Sequence, residues 1–124
     1  MRPHQTRILC IEDDADTCLM LCSLFGLINC EVVCVGTIAD AWDKISGETF
    51  DIYLLDNWLP GGSGIELCRR IREVDALTPV IFYTGADQDE EREAAMAAGA
   101  QAYLLKPSDI ARLVETVKGF LKSV

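Results

Sequence analysis

Asp56 ends the apolar run Ile52-Tyr53-Leu54-Leu55 and stands directly before the breaker-rich stretch Asn57-Trp58-Leu59-Pro60-Gly61-Gly62-Ser63-Gly64. A carboxylate at the tip of a buried strand, facing a loop, is placed for chemistry rather than for packing. The same placement recurs. Glu12 and Asp13 follow Ile8-Leu9-Cys10-Ile11, Thr84 follows Val80-Ile81-Phe82-Tyr83, and Lys106 follows Tyr103-Leu104-Leu105. Taken singly, each has an ordinary explanation: an aspartate after a strand is usually a turn or cap residue, and Thr-Gly or Lys-Pro usually marks a loop. Packing offers no reason for the conjunction of four.

Brought together, Glu12, Asp13 and Asp56 would repel one another. Two unit charges 4 Å apart cost about 4 kcal/mol at an effective dielectric near 20. A divalent cation would relieve that repulsion, and oxygen-only ligands point to magnesium rather than zinc. Asp56 could then act as a nucleophile toward a phosphoryl group. Lys106 and the cation would neutralise phosphoryl oxygens, and the Thr84 hydroxyl would donate to the bound group.

The elements that must position these residues follow from the patterning. Apolar strands are expected over Arg7–Ile11, Glu31–Val35, Asp51–Leu55, Pro79–Tyr83 and Ala102–Leu105. Helical periods alternate with them: Ala15–Leu27 with Asp14 as N-cap, Thr37–Ser46 with Thr37 as N-cap and Gly47 as stop, Ser63–Val74, Asp87–Ala98 ended by Gly99, and Ser108–Lys122. The third helix turns Ile65, Cys68, Ile71 and Leu67 inward. The last carries Ile110, Leu113, Val114, Val117 and Leu121 on one stripe. Strands that are apolar throughout suit a parallel sheet covered on both faces. In such an open α/β sheet, ligands bind outside the carboxyl ends of the strands, which makes one site of the four strand ends. Gly61-Gly62-Ser63-Gly64 lacks the Lys-Ser/Thr of a phosphate-binding loop and reads as a flexible loop with Ser63 near a helix N-cap.

The totals agree with this reading. One domain spanning 1–124 is expected from 124 residues, of which 50% are hydrophobic and 25% charged. A net charge of -9 argues against direct nucleic-acid contact and against an anionic membrane surface. The acidic run Asp87–Glu91 reads as a solvated helix start. None of the six cysteines forms a CxxC pair, so reduced, mostly buried thiols in a cytoplasmic protein are preferred to a zinc site. No apolar run is long enough to span a membrane, and residues 1–7 lack the apolar core of a signal peptide.

The chain resembles the receiver domain of two-component response regulators over essentially its whole length. The matching segments are Ile8–Asp14, Leu54–Pro60 with Gly64, Thr84-Gly85-Ala86, and Gly99–Pro107. The resemblance implies a flavodoxin-like doubly wound five-stranded parallel sheet, strand order 2-1-3-4-5, flanked by five helices. Asp56 would be the phosphoacceptor, served by a histidine kinase or a histidine phosphotransfer protein. Asp13, Asp56 and the backbone carbonyl of Trp58 would hold Mg2+, with Mn2+ as a substitute, and Glu12 would act mostly through water. Lys106 would contact the phosphoryl group, and the Lys106–Pro107 peptide would be cis. Thr84 and Tyr103 would be the switch pair that reshapes the fourth helix, fifth strand and fifth helix for a downstream effector, an output domain or a second copy.

Two other readings remain beside this switch. A phosphatase with an aspartyl nucleophile commonly carries Asp-x-Asp, whereas here the second residue on is Trp58. A receiver-like binding module that works without phosphorylation usually lacks the acceptor, an acidic residue or the lysine, and all three are present.

Overall fold

The computed structural model describes residues 5–121. The expectations for the N-terminal segment before Gln5 and for the end of the last helix at Lys122 lie outside that range. Five strands form one parallel sheet: β1 (Thr6–Ile11), β2 (Cys30–Val35), β3 (Ile52–Leu55), β6 (Val80–Thr84) and β7 (Ala102–Leu105), in the order β2-β1-β3-β6-β7. Counted within the sheet alone, that is the expected order 2-1-3-4-5. Between β3 and β6 lie two further two-residue strands, β4 (Trp58–Leu59) and β5 (Gly62–Ser63), paired antiparallel. The stretch read as a flexible loop is therefore a small hairpin. Its turn uses Gly61 at φ 92 and Gly62 at φ 157, backbone that only glycine adopts without strain.

The helices are α1 (Ala15–Gly26), α2 (Ile38–Gly47), α3 (Gly64–Val74), α4 (Asp89–Ala97) and α5 (Ile110–Leu121). Asp14, Thr37 and Ser63 cap the first three, accepting from the amides of Thr17, Asp40 and Glu66. The α4 helix starts two residues later than the acidic run suggested. Asp87 precedes it, Gln88 sits at the N-cap without a side-chain bond, and Asp89, Glu90 and Glu91 fill the first turn. That order sets three negative charges against the positive end of the helix dipole. After α1, Asn29 takes φ 62 to turn the chain into β2.

Apart from Thr6, Arg7, Glu31 and Thr84, the sheet strands are built of apolar and tyrosine side chains on both faces because each face is covered. Leu9, Ile11, Tyr53, Leu55, Val80 and Phe82 pack against Leu67, Cys68 and Ile71 of α3 and Ala95 of α4. Ile8, Cys10, Ile52, Leu54 and Ile81 pack against Leu21 and Phe25 of α1 and Leu113 and Val117 of α5. The inward stripe expected for α3 is buried; in α5 Leu113 and Val117 are buried while Ile110, Val114 and Leu121 are partly so.

The cysteines depart from the expectation of mostly buried thiols. Cys10, Cys30 and Cys68 are buried, but Cys18 and Cys34 are half-buried and Cys22 is exposed. All six are free thiols, and burial pushes the Cys18 thiol up to about 12.

Among the described residues, no helix is long and apolar enough to cross a membrane.

Candidate functional site

The parallel ladder brings the strand ends to one edge of the sheet. The Glu12 amide donates to the Val35 carbonyl at 2.9 Å, the Asp56 amide to the Ile11 carbonyl at 3.1 Å, and the Lys106 amide to the Thr84 carbonyl at 2.9 Å. These bonds extend the sheet one residue past β1, β3 and β7. They fix Glu12, Asp56 and Lys106 where regular structure gives way to loop.

At this edge one ligand oxygen from each of Glu12, Asp13 and Asp56 falls within 4.8 Å of the others. Glu12 is buried, Asp56 half-buried and Asp13 exposed. The trio thus runs from the interior to solvent, with an open side toward Asp13. The Lys106 ammonium donates to Glu12 Oε1 and, at 3.1 Å, to Asp56 Oδ2. Asp56 Oδ1 accepts from the Asn57 amide at 2.7 Å, and Glu12 Oε2 from the Asp14 amide at 3.1 Å.

The electrostatics follow from this arrangement. Burial raises the Glu12 carboxyl above its ordinary range, and the Lys106 and Asp14 contacts only partly counter it. Burial alone would lower the Lys106 ammonium, but its contacts with Glu12 and Asp56 outweigh that and raise it. Charge repulsion among the three carboxylates, which the sequence pointed to as needing a cation, is met in part by Lys106 itself. Three carboxylates with one face toward solvent and no nitrogen or sulfur among them are a donor set for a hard divalent cation.

The remaining expected residues are also placed. Thr84 ends β6 fully buried, and its hydroxyl accepts from the Ala86 amide at 3.3 Å. Tyr103 in β7 points inward: its ring stacks on Phe82 at 5.7 Å, and its hydroxyl donates to the Ala86 carbonyl at 2.5 Å. Ala86 is thus bonded by both Thr84 and Tyr103. The Lys106–Pro107 peptide is cis. Trp58, expected to offer its carbonyl, lies in β4 with 61% of its surface exposed.

Two residues quoted only within the breaker-rich stretch and the family match have structural roles that the sequence reading did not assign. Asn57 is buried, accepts the Gly64 amide at 2.8 Å on its backbone carbonyl, and accepts the Ile65 amide on Oδ1. It ties the loop after Asp56 to the start of α3. Gly64 is the second: a Cβ there would stand 2.2 Å from the Asp56 carbonyl oxygen. An asparagine directly after the strand-end Asp56, and a glycine at a helix start rather than a helix end, were the available signals.

Residues 8–118 match the family model of the response regulator receiver domain. The swarming motility regulation protein RssB of Serratia marcescens is 34% identical over 90% of this chain and 51% of its own length. The response regulator ArlR of Staphylococcus aureus is 31% identical over 94% of the chain and 53% of its own length. The chain therefore spans about half the length of these curated relatives. Among solved structures, a two-component response regulator from Clostridium difficile superposes with a TM-score of 0.90 at 30% identity, covering 95% of this chain and 97% of the other. The BeF3-activated N-terminal receiver domain of RstA from Klebsiella pneumoniae gives 0.88 at 29% identity, covering 94% and 98%.

Proposed function

Because the chain belongs to the response regulator receiver family, we propose that it is switched by phosphorylation of Asp56, with a phosphohistidine of a histidine kinase or histidine phosphotransfer protein as donor. Residues 1–124 act as one receiver domain. Asp13, Asp56 and the Trp58 carbonyl hold Mg2+, or Mn2+ in its place, and Glu12 acts mostly through water. The bound cation supplies charge neutralisation of phosphoryl oxygens.

The chain's own residues do the rest. An Asp56 carboxylate oxygen forms the new bond to phosphorus as the donor's phosphorus–nitrogen bond breaks, so the donor leaves with the electron pair of that bond. Lys106 already donates to Asp56 Oδ2 and turns toward the incoming phosphoryl oxygens. The Asn57 amide on Asp56 Oδ1 holds the carboxylate in a fixed orientation. The Thr84 hydroxyl donates to the phosphoryl group, and Tyr103 shifts population with it, changing the surface of α4, β7 and α5 for a downstream effector, an output domain or a second copy. The domain is a phosphoacceptor regulator rather than an enzyme, and catalyses only its own phosphorylation and dephosphorylation. Six free thiols suit the reducing cytoplasm in which such kinases act.

The observation that carries this reading is the meeting of Glu12, Asp13 and Asp56 within 4.8 Å with Lys106 on the acceptor. Incubation with a small phosphodonor and Mg2+, followed by intact mass, tests it. The expected result is one added phosphoryl group on the unaltered chain and none on Asp56→Asn. No gain, or the same gain in the variant, would overturn it.

A further inference from the structure

Between the C-terminal ends of α2 and α3 and the N-terminal ends of β3 and β6 lies a cavity of about 530 Å3. It opens at the sheet edge opposite the acidic corner. Its aromatic wall is Trp42, Phe50 and Tyr53, with the Phe50 and Tyr53 rings 6.2 Å apart. The Arg70 guanidinium sits over the Trp42 ring at 4.5 Å and that of Arg7 over the Phe50 ring at 4.7 Å, so both rings are held in place. Tyr53 is 4% exposed and lines the cavity, and its hydroxyl bonds to none of the described residues. The Trp42 Nε1 in the same wall is buried and also lacks an acceptor among them. Buried polar groups are ordinarily bonded. Here a nearly buried phenol is left with the cavity as the source of its partner.

The charges of the lining set the kind of ligand. Among the described residues, no lysine, arginine or histidine lines the cavity, whereas Glu48 and Asp75 do, so an anion would meet like charge. Neither carboxylate lacks a partner. Glu48 is paired with Arg7 and Lys44, and Asp75 accepts from the Thr78 hydroxyl and from the amides of Leu77 and Thr78. Exposed Val74 adds an apolar lip. We propose that the cavity binds an uncharged planar aromatic molecule of roughly two or three fused rings, a size suited to sites of about 300–1,000 Å3. Its rings pack against Trp42 and Phe50 in offset or edge-on contact, and a carbonyl or hydroxyl on its edge bonds the Tyr53 hydroxyl. The cavity and Asp56 lie at opposite edges of the sheet, so binding does not require a phosphoryl group on Asp56.

Titration of the whole chain with coumarin, followed by amide chemical shifts and by nuclear Overhauser contacts to the bound probe, tests the proposal. Saturable one-to-one binding is expected, with contacts to the Trp42 and Phe50 ring protons. Tyr53→Phe removes the hydroxyl and keeps the ring, and should weaken binding about fivefold. Trp42→Leu removes part of the aromatic wall and should weaken it as well, which gives a reading even if Tyr53→Phe does not fold. Circular dichroism of each variant reports whether it is folded. Tyr83→Phe, a hydroxyl deleted in the other core cluster, is the control and leaves affinity unchanged. Coumarin carrying a carboxylate should bind more weakly than coumarin itself. Absence of saturable binding, or contacts only to residues outside the cavity, would overturn the proposal. So would unchanged affinity in folded Tyr53→Phe and Trp42→Leu, or equal affinity for the carboxylate.

Discussion

Gly64 and Asp56 are packed backbone to backbone: a Cβ on the glycine would stand 2.2 Å from the Asp56 carbonyl oxygen and 3.1 Å from the Phe82 ring. Neither neighbour can yield, because the Asp56 amide is bonded to Ile11 and Phe82 lies in the core. Gly64→Ala is therefore expected to cost about 2 kcal/mol or more, and to lower phosphoryl uptake by displacing the acceptor. Gly85→Ala is the comparison, since a Cβ there meets nothing within 4 Å. Urea unfolding of both variants checks this; equal losses would show that the approach of α3 to Asp56 is not what demands glycine.

Lys106 joins Glu12 and Asp56, so a divalent cation entering the site competes with its ammonium. Lys106→Met keeps the apolar stem and removes that competitor. Without Mg2+ the variant is expected to lose roughly 3–5 kcal/mol, the cost of leaving a buried carboxylate unpaired. The stabilisation gained on adding Mg2+ should exceed that of the unaltered chain, because a ligand's stabilisation of the folded form grows with the logarithm of its concentration over its dissociation constant. Urea unfolding with and without Mg2+ gives both numbers. A smaller Mg2+ gain in the variant would contradict the competition.

Tyr103 donates to the Ala86 carbonyl while its ring stays stacked on Phe82. Tyr103→Phe deletes the hydroxyl alone. The expected loss is about 1 kcal/mol, with phosphoryl uptake at Asp56 retained, since the hydroxyl does not touch the acceptor. Loss of uptake in this variant would place Tyr103 in the acceptor chemistry rather than in the response to it.

Asp75 caps the turn after α3. Burial works to raise its carboxyl, but hydrogen bonds from Thr78 and Leu77 and the charge of Arg72 outweigh it and hold the group below the ordinary carboxylate range. A carboxyl whose folded value is depressed binds fewer protons folded than unfolded. Its stabilisation is therefore complete above the unfolded value, about pH 4, and is lost as pH falls through the folded one. Asp75→Asn should be less stable than the unaltered chain at neutral pH, with the difference shrinking below about pH 4. A gap that stays constant across this range in pH-dependent thermal unfolding would assign the loss to packing instead.

The strands and the residues at their ends were legible in the sequence because both faces of the sheet are covered, which leaves uninterrupted apolar runs with abrupt polar ends. Asp14 and Thr37 were readable as caps for the same local reason. The β4–β5 hairpin was not, since its two-residue strands carry no periodicity and its glycines signal a turn without saying what flanks it. The α4 boundary was blurred by consecutive acidic residues, any of which can begin a helix. Lys106 was legible as part of the site, but its ion pairs with Glu12 and Asp56 depend on β7 lying two strands from β3, a distance no spacing in the chain encodes.

Because β7 is an edge strand, hydrogen-bonded only to β6, the Lys106 side chain acts as a tether from that edge back across to the ends of β1 and β3. It makes the margin of the sheet and its centre mechanically one piece at the acidic corner. A group that draws the ammonium toward itself loosens one end of this tether while the ladder to β6 stays intact. The link from the edge to the centre is then reduced to the β6–β7 ladder, without the sheet opening.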